Sequence, residues 1–142
     1  MYTIGALKHE LIRDEGWRVK PYTDSVGKLT IGVGWNLSDN GIPEEIINRL
    51  MDIGIAQAES TLDAIIPDWR GLSDVRQRVL INMAFNLGGR LAGFARFLAA
   101  VKTSDWQTAA DEMLESKWAH QVGTRSARLA EMMRSGRNLD RG

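Results

Sequence analysis

Two carboxylates nine residues apart and a hydroxyl six further on, Glu15, Asp24 and Thr30, are the side chains of this sequence best placed to act together. Two acids in unlike surroundings can divide the cleavage of a glycosidic bond. One gives a proton to the leaving oxygen, and the other stays ionised and handles water or the developing positive charge. Glu15 stands before Gly16, with apolar Trp17 and Val19 close by in sequence. Desolvation and the negative end of a helix dipole would help an acid there to keep its proton, which makes Glu15 the candidate acid. Asp24 lies in a polar Asp-Ser-Val-Gly turn and is the candidate anion, and Thr30 is placed to hold a water by hydrogen bond. The same residue types also suit an ordinary N-terminal hairpin with turn and capping residues, and spacing alone does not choose.

The elements that must position these groups are legible nearby. Gly16 predicts a helix stop, because glycine enters positive φ without strain. Short β-prone runs, 17–22 and 28–33, flank the turn at Asp24–Gly27. Glu15 is thus expected at a helix end, Asp24 at a hairpin tip and Thr30 on the returning strand. The first helix is expected over Ile4–Asp14 with Thr3 as N-cap and Ile4, Leu7, Leu11 and Ile12 on one face. Trp35 to Gly41 reads as loop, and Pro43 suits the first turn of a long helix ending near Ile66.

Glu15-Gly16, Tyr22-Thr23-Asp24 and Thr30-Ile31-Gly32-Val33-Gly34 together resemble the signature of the T4-type phage lysozymes, the muramidase endolysins of glycoside hydrolase family 24. The likeness continues in order through Arg76–Gly88, Ala92-Gly93-Phe94, Asp105-Trp106 with Ala109-Ala110, and Ser116-Lys117-Trp118 followed by Gln121 and Arg125. It implies a mostly helical α+β, lysozyme-like fold. A small N-terminal lobe, about 13–55 with its hairpin at 17–34, and a helical lobe, about 56–142 plus the first helix, would make one catalytic domain with a cleft between lobes. It implies hydrolysis of the β-1,4 bond between N-acetylmuramic acid and N-acetylglucosamine with inversion and no covalent intermediate. It also implies action in host cell lysis, from the host cytoplasm until lysis and then at the cell wall, with a separate holin opening the membrane. A monomer needing no cofactor or metal is expected, with peptidoglycan strands as its partner.

Substrate contacts are expected by position at Phe85, Asn86, Lys117, Gln121 and Arg125. Two departures from the family pattern concern the sugar subsites. Trp35 stands where the family often has His, followed by Asn36 where an aliphatic contact is usual. Both are candidate contacts, and for Trp35 stacking on a sugar and simple packing both stay open. Phe97 and Glu112 also occupy positions where the family often places small or amide groups.

The rest of the chain suits this reading. Its 142 residues are 44% hydrophobic with no cysteine, so disulfides play no part. No apolar run approaches the ~20 residues that span a bilayer, and the N-terminus is too mixed for a signal peptide. The net charge of zero hides a split: residues 1–71 carry seven Lys/Arg and eleven Asp/Glu, and residues 72–142 the reverse. Lys117, Arg125, Arg128, Arg134, Arg137 and Arg141 could favour an anionic wall polymer or simply be a solvated face.

The long helix carries Ile47, Leu50, Met51, Ile55, Ala58, Leu62 and Ile65 as a stripe. Gly54 within it costs about 1 kcal/mol relative to Ala and marks either a hinge or close packing. Residues 68–136 read as all helical. Segments are expected at Asp74–Leu87 after Ser73, about Gly93–Val101, Asp105–Glu115 after Ser104, and from Thr124 to about Arg134. Val79 to Leu87 is apolar nearly all round, which predicts burial on every side, and Asn138 onward is expected to fray.

Other motifs fail. His9-Glu10 lacks the second His of a zinc-protease helix, Gly32-x-Gly34 lacks the third Gly of a dinucleotide site, and a pI near 6.7 argues against nucleic acid. Two rivals from other classes remain. A lytic transglycosylase would use one acid and yield an anhydro product, and a non-catalytic wall-binding module would release no reducing ends. A virion-borne lysozyme would share the chemistry and differ in where it works.

Overall fold

Gly16 closes the first helix as its sequence predicts: its φ is +90°, and its N–H donates to the Ile12 carbonyl at 2.8 Å. In the computed structural model, which describes residues 1–139, that helix is α1, Ile4–Glu15. Thr3 precedes it but makes no side-chain cap, so the expected N-cap bond is missing. Ile4, Leu11 and Ile12 are exposed and Leu7 is half-buried.

An antiparallel sheet follows, β1 at Arg18–Thr23, β2 at Leu29–Gly32 and β3 at Trp35–Asn36, in that order. Tyr22 pairs with Thr30, Thr23 with Leu29, and Ile31 with Trp35, and an irregularity between Arg18 and Tyr22 bends β1. The stretch read as loop is ordered instead. Besides β3 it forms a four-residue helix, α2 at Leu37–Asn40, capped by the Asn36 side chain, which accepts from the Asp39 N–H. Helix α2 is clasped to the hairpin. The Leu29 N–H donates to Ser38 Oγ at 2.8 Å, and Lys28 Nζ lies 2.9 Å from Asp39 Oδ1. That hydrogen bond from Lys28 holds the Asp39 carboxyl below the ordinary carboxylate value.

Helix α3, Glu44–Ile65, has 22 residues and spans about 33 Å. The chain forms two compact units whose boundary falls within it, Met1–Arg49 and the chain from Leu50 on. The second unit contains the hydrophobic core. Ala58, Leu62 and Ile66 meet Val79, Leu80, Met83, Phe97, Met113, Trp118, Leu129 and Met133 there, all buried. Full burial of a side chain such as Leu62 contributes about 1.5–3 kcal/mol.

That core is enclosed by α4 (Asp74–Leu87), α5 (Ala95–Lys102), α6 (Trp106–Glu115), α7 (Lys117–Val122) and α8 (Thr124–Ser135). Ser73 caps α4 as expected. Ser104 caps nothing, because its φ of +58° takes it out of position, and Asp105 accepts from the Thr108 N–H instead. Gly123, not Thr124, occupies the N-cap position of α8, and Ser116 caps the separate short helix α7. Arg76 ties α4 to the end of α8. Its Nε donates to the Met133 carbonyl at 2.7 Å, another nitrogen donates to the Arg134 carbonyl, and the guanidinium lies over the Trp106 ring.

Burial of α4 is incomplete: Val79, Leu80, Met83, Ala84 and Leu87 are buried, but Phe85 is exposed. Its ring lies on Gly54, where a Cβ would stand 2.5 Å from ring Cε2. Gly54 therefore serves close packing. No helix among the described residues is long and apolar enough to cross a membrane. Arg141 and the stretch beyond Leu139 expected to fray lie outside the described residues.

Candidate active site

The hairpin tip is built around Asp24. Its Oδ1 accepts from two backbone N–H groups, Val26 at 3.0 Å and Lys28 at 2.8 Å, and its own N–H donates to the Lys28 carbonyl. This Asx turn fixes the carboxylate by one oxygen and leaves Oδ2 without a protein partner among the described residues. Asp24 is half-buried.

Thr30 is the one buried residue of the first unit among the described residues, 4% exposed. Its hydroxyl donates to the Lys28 carbonyl at 3.0 Å. The proton is thus committed inside the hairpin, and the oxygen retains only acceptor capacity toward a water.

Glu15 is the last residue of α1, as expected, and its side chain makes no hydrogen bond or ion pair among the described residues. The apolar shelter expected around it is absent. Glu15 is exposed, and Trp17 and Val19 stand 68% and 81% exposed, so neither encloses it. What the carboxylate does meet is the backbone of the Thr-Ile-Gly-Val-Gly run: a Cβ at Gly34 would lie 2.6 Å from Glu15 Oε2. The first unit therefore carries Glu15, Asp24 and Thr30 together, the acid against the turn after β2 and the other two on the hairpin.

The expected substrate residues divide into three groups. In the first unit, the exposed Trp35 has its indole N–H anchored to the Gly41 carbonyl at 2.7 Å. Asn36, a candidate sugar contact, has its amide committed to Asp39: the oxygen accepts from the Asp39 N–H and the nitrogen donates to Asp39 Oδ2. Its visible role is the cap.

In the second unit, Phe85 and Arg125 line one groove with Met51, Ile55, Ile81 and Asn82, and Arg125 Nε is buried without a hydrogen-bond partner among the described residues. Lys117 lines a different groove with Phe94, Arg96 and Glu112. Phe97 borders it too but is 1% exposed, so its bulk belongs to the core. Asn86 and Gln121 are exposed and line neither groove. Sequence reasoning missed Gly34 as a neighbour of Glu15, because the turn between β2 and β3 already accounts for a glycine there.

The profile of the phage lysozyme family matches residues 13–135, from just before Glu15 to the end of α8. The chain belongs to the phage lysozyme family. Among similar proteins, "Probable T4-type lysozyme 1" of Dictyostelium discoideum is 25% identical, over 94% of this chain and 96% of that protein. "Probable T4-type lysozyme 2" of the same organism is 24% identical over the same shares. The "Pre-baseplate central spike protein Gp5" of Enterobacteria phage T4 is 28% identical over 92% of this chain, which corresponds to 28% of that longer protein. The α+β architecture, mostly helical with a small sheet near the N-terminus, is that of a T4-type lysozyme. Family and relatives support a lysozyme glycosidase that hydrolyses peptidoglycan.

Proposed function

We propose that this lysozyme cleaves the β-1,4 bond between N-acetylmuramic acid and N-acetylglucosamine. Glu15 would act as general acid, with Asp24 and Thr30 positioning the attacking water. The observation that carries the reading is the pair of carboxylates within the first unit, each with an oxygen free of partners among the described residues: Glu15 against Gly34, and Asp24 held by its other oxygen.

In the reaction, the Glu15 proton passes to the glycosidic oxygen as the bond to the anomeric carbon breaks. A water then adds to that carbon from the opposite face and gives its proton to Asp24 Oδ2, which inverts the configuration. With its own proton on Lys28, Thr30 can aim such a water only by accepting from it. Because Glu15 is exposed, the bound saccharide itself must displace the water around the acid. Trp35 offers a ring anchored at its N–H and open to solvent, which suits stacking on a sugar.

Glu15→Gln keeps the side chain's size and removes the transferable proton. Turbidity loss of permeabilised Gram-negative cells should slow by at least about 10³-fold, with an unchanged melting temperature. A folded Glu15→Gln protein that lyses at the wild-type rate rejects the assignment. Mass spectrometry of the digested wall should show reducing-end muropeptides, and anhydro products would instead mark a transglycosylase.

The endolysin role is part of the same proposal. It has the enzyme accumulate in the host cytoplasm as a monomer and reach the wall once a separate holin has opened the membrane. Expressed alone inside bacteria, the protein should leave culture density unchanged until the membrane is permeabilised, and should then clear it within minutes. Lysis without permeabilisation would sink that route.

A further inference from the structure

Gly32 and Gly34 look alike by backbone. Gly32 ends the strand that carries Thr30 and Gly34 lies in the turn after it, with φ of +66° and +63°, in the region L side chains rarely adopt. Their surroundings differ. A Cβ at Gly32 meets nothing within 4 Å, so conformation alone accounts for that glycine. A Cβ at Gly34 would lie 2.6 Å from Glu15 Oε2, 3.0 Å from its Cδ and 3.2 Å from its Cβ. The first distance is too short for real atoms, and the third is tight against the root of the side chain.

We propose that Gly34 is a positioning residue for the acid: the carboxylate of Glu15 occupies the space that any side chain at residue 34 would fill. This rests on the reading of Glu15 as the proton donor.

Which partner would yield follows from how each is held. Gly34 joins β2 to β3, and the ladder on either side of it is closed by the Ile31–Trp35 and Thr30–Asn36 pairs. The next residue is pinned again by the Trp35 indole on the Gly41 carbonyl. Glu15 has no such restraint: it is exposed, unpaired among the described residues and at a helix end. A methyl group at residue 34 therefore swings the carboxylate outward while the turn stays in place. The damage falls on the geometry of proton transfer. A displacement of about 1 Å in a reacting group can cost on the order of 10²-fold in rate.

The test compares Gly34→Ala with Gly32→Ala, which carries the same backbone strain without the contact. Both are purified and assayed on soluble glycan strands by release of reducing ends. Melting temperatures should fall together by a few degrees. For Gly34→Ala, kcat should drop about 100-fold with KM within about twofold of wild type, whereas Gly32→Ala should keep kcat within about twofold. Equal kcat values for the two variants overturn the proposal, whether both fall or neither does. A crystal structure of Gly34→Ala reads the steric half without any assay: it should show the Glu15 carboxylate displaced and residues 32–34 unmoved, and an unmoved carboxylate overturns the proposal even if Glu15→Gln has already removed Glu15 from the mechanism. Should Gly34→Ala fail to fold, Gly34→Asn presents the same Cβ on a residue that tolerates positive φ, and the same outcomes apply.

Discussion

In the first unit Thr30 is the one buried side chain among the described residues, and its exposed apolar groups include Ile4, Leu11, Trp17, Val19 and Trp35. In the second, Leu62, Val79, Leu80, Met83, Leu91, Phe97, Met113 and Met133 are sealed from water in one continuous cluster. The first is shaped by its backbone: an Asx turn at Asp24, a cap at Asn36, an indole on a carbonyl, glycines at positive φ. The second is shaped by apolar contact. The difference teaches where a substitution will register. Changes in the first unit act through the aim of a few polar atoms, and changes in the helical unit act through stability.

The largest test of that contrast is Phe97→Ala. Emptying this site in the core should lower unfolding free energy by about 3–5 kcal/mol, read by urea titration, while activity per folded molecule at low temperature stays near wild type. A core variant that lost activity per folded molecule would erase the distinction.

Asp24 sharpens the comparison from the other side. Asp24→Asn preserves an oxygen that can accept from the Val26 and Lys28 N–H groups, so folding stability should hold while turnover falls by about 10²-fold or more. Asp24→Ala removes both bonds and should lose about 1–2 kcal/mol of stability as well. Equal stability of the two variants would show that the Asx turn does not hold the hairpin.

The smallest effect concerns a surface cluster of the helical unit. Trp69 Nε1 and Arg70 both donate to Asp63, and Arg70 also reaches Glu59. The Trp69 hydrogen bond, followed by that of Arg70, holds the Asp63 carboxyl below its ordinary value of 3.8. A depressed folded value means the carboxylate stabilises the fold above pH ~4 and loses that contribution as pH falls through the folded value. Asp63→Asn should thus unfold at a lower temperature than wild type at pH 7, and the gap should close below pH ~4. A gap that persisted unchanged at pH 2 would remove the charge from the explanation.

The long elements were legible because periodicity needs length. Helices α1, α3, α4 and α6 stand within about one residue of where stripe and stop signals put them. The stretch Trp35–Asn40 was not, since a two-residue strand and a four-residue helix offer no period, and their stability comes from Lys28 and Leu29 elsewhere in the chain. Capping was read from residue type alone, which fails when a neighbour competes: Asp105 takes the place expected of Ser104. An apolar run on all sides predicts a buried Phe85, but its seat is the missing side chain of Gly54, 31 residues earlier, and the ring stays exposed. Within the candidate site, type and order single out Glu15, Asp24 and Thr30, and the structure places all three in the first unit. The neighbours of Glu15 were invisible because the relevant contact is with an atom Gly34 does not have.

The bond from Arg76 to the Met133 carbonyl has a consequence for synthesis on the ribosome. Its two partners are 57 residues apart in the chain. At ordinary translation speeds the guanidinium waits roughly 3–11 s before its acceptor has been made, and longer before that acceptor clears the exit tunnel. The helical unit accordingly closes only once α8 has been made, and a nascent chain cut short before α8 would expose an open core for chaperones and proteases to find.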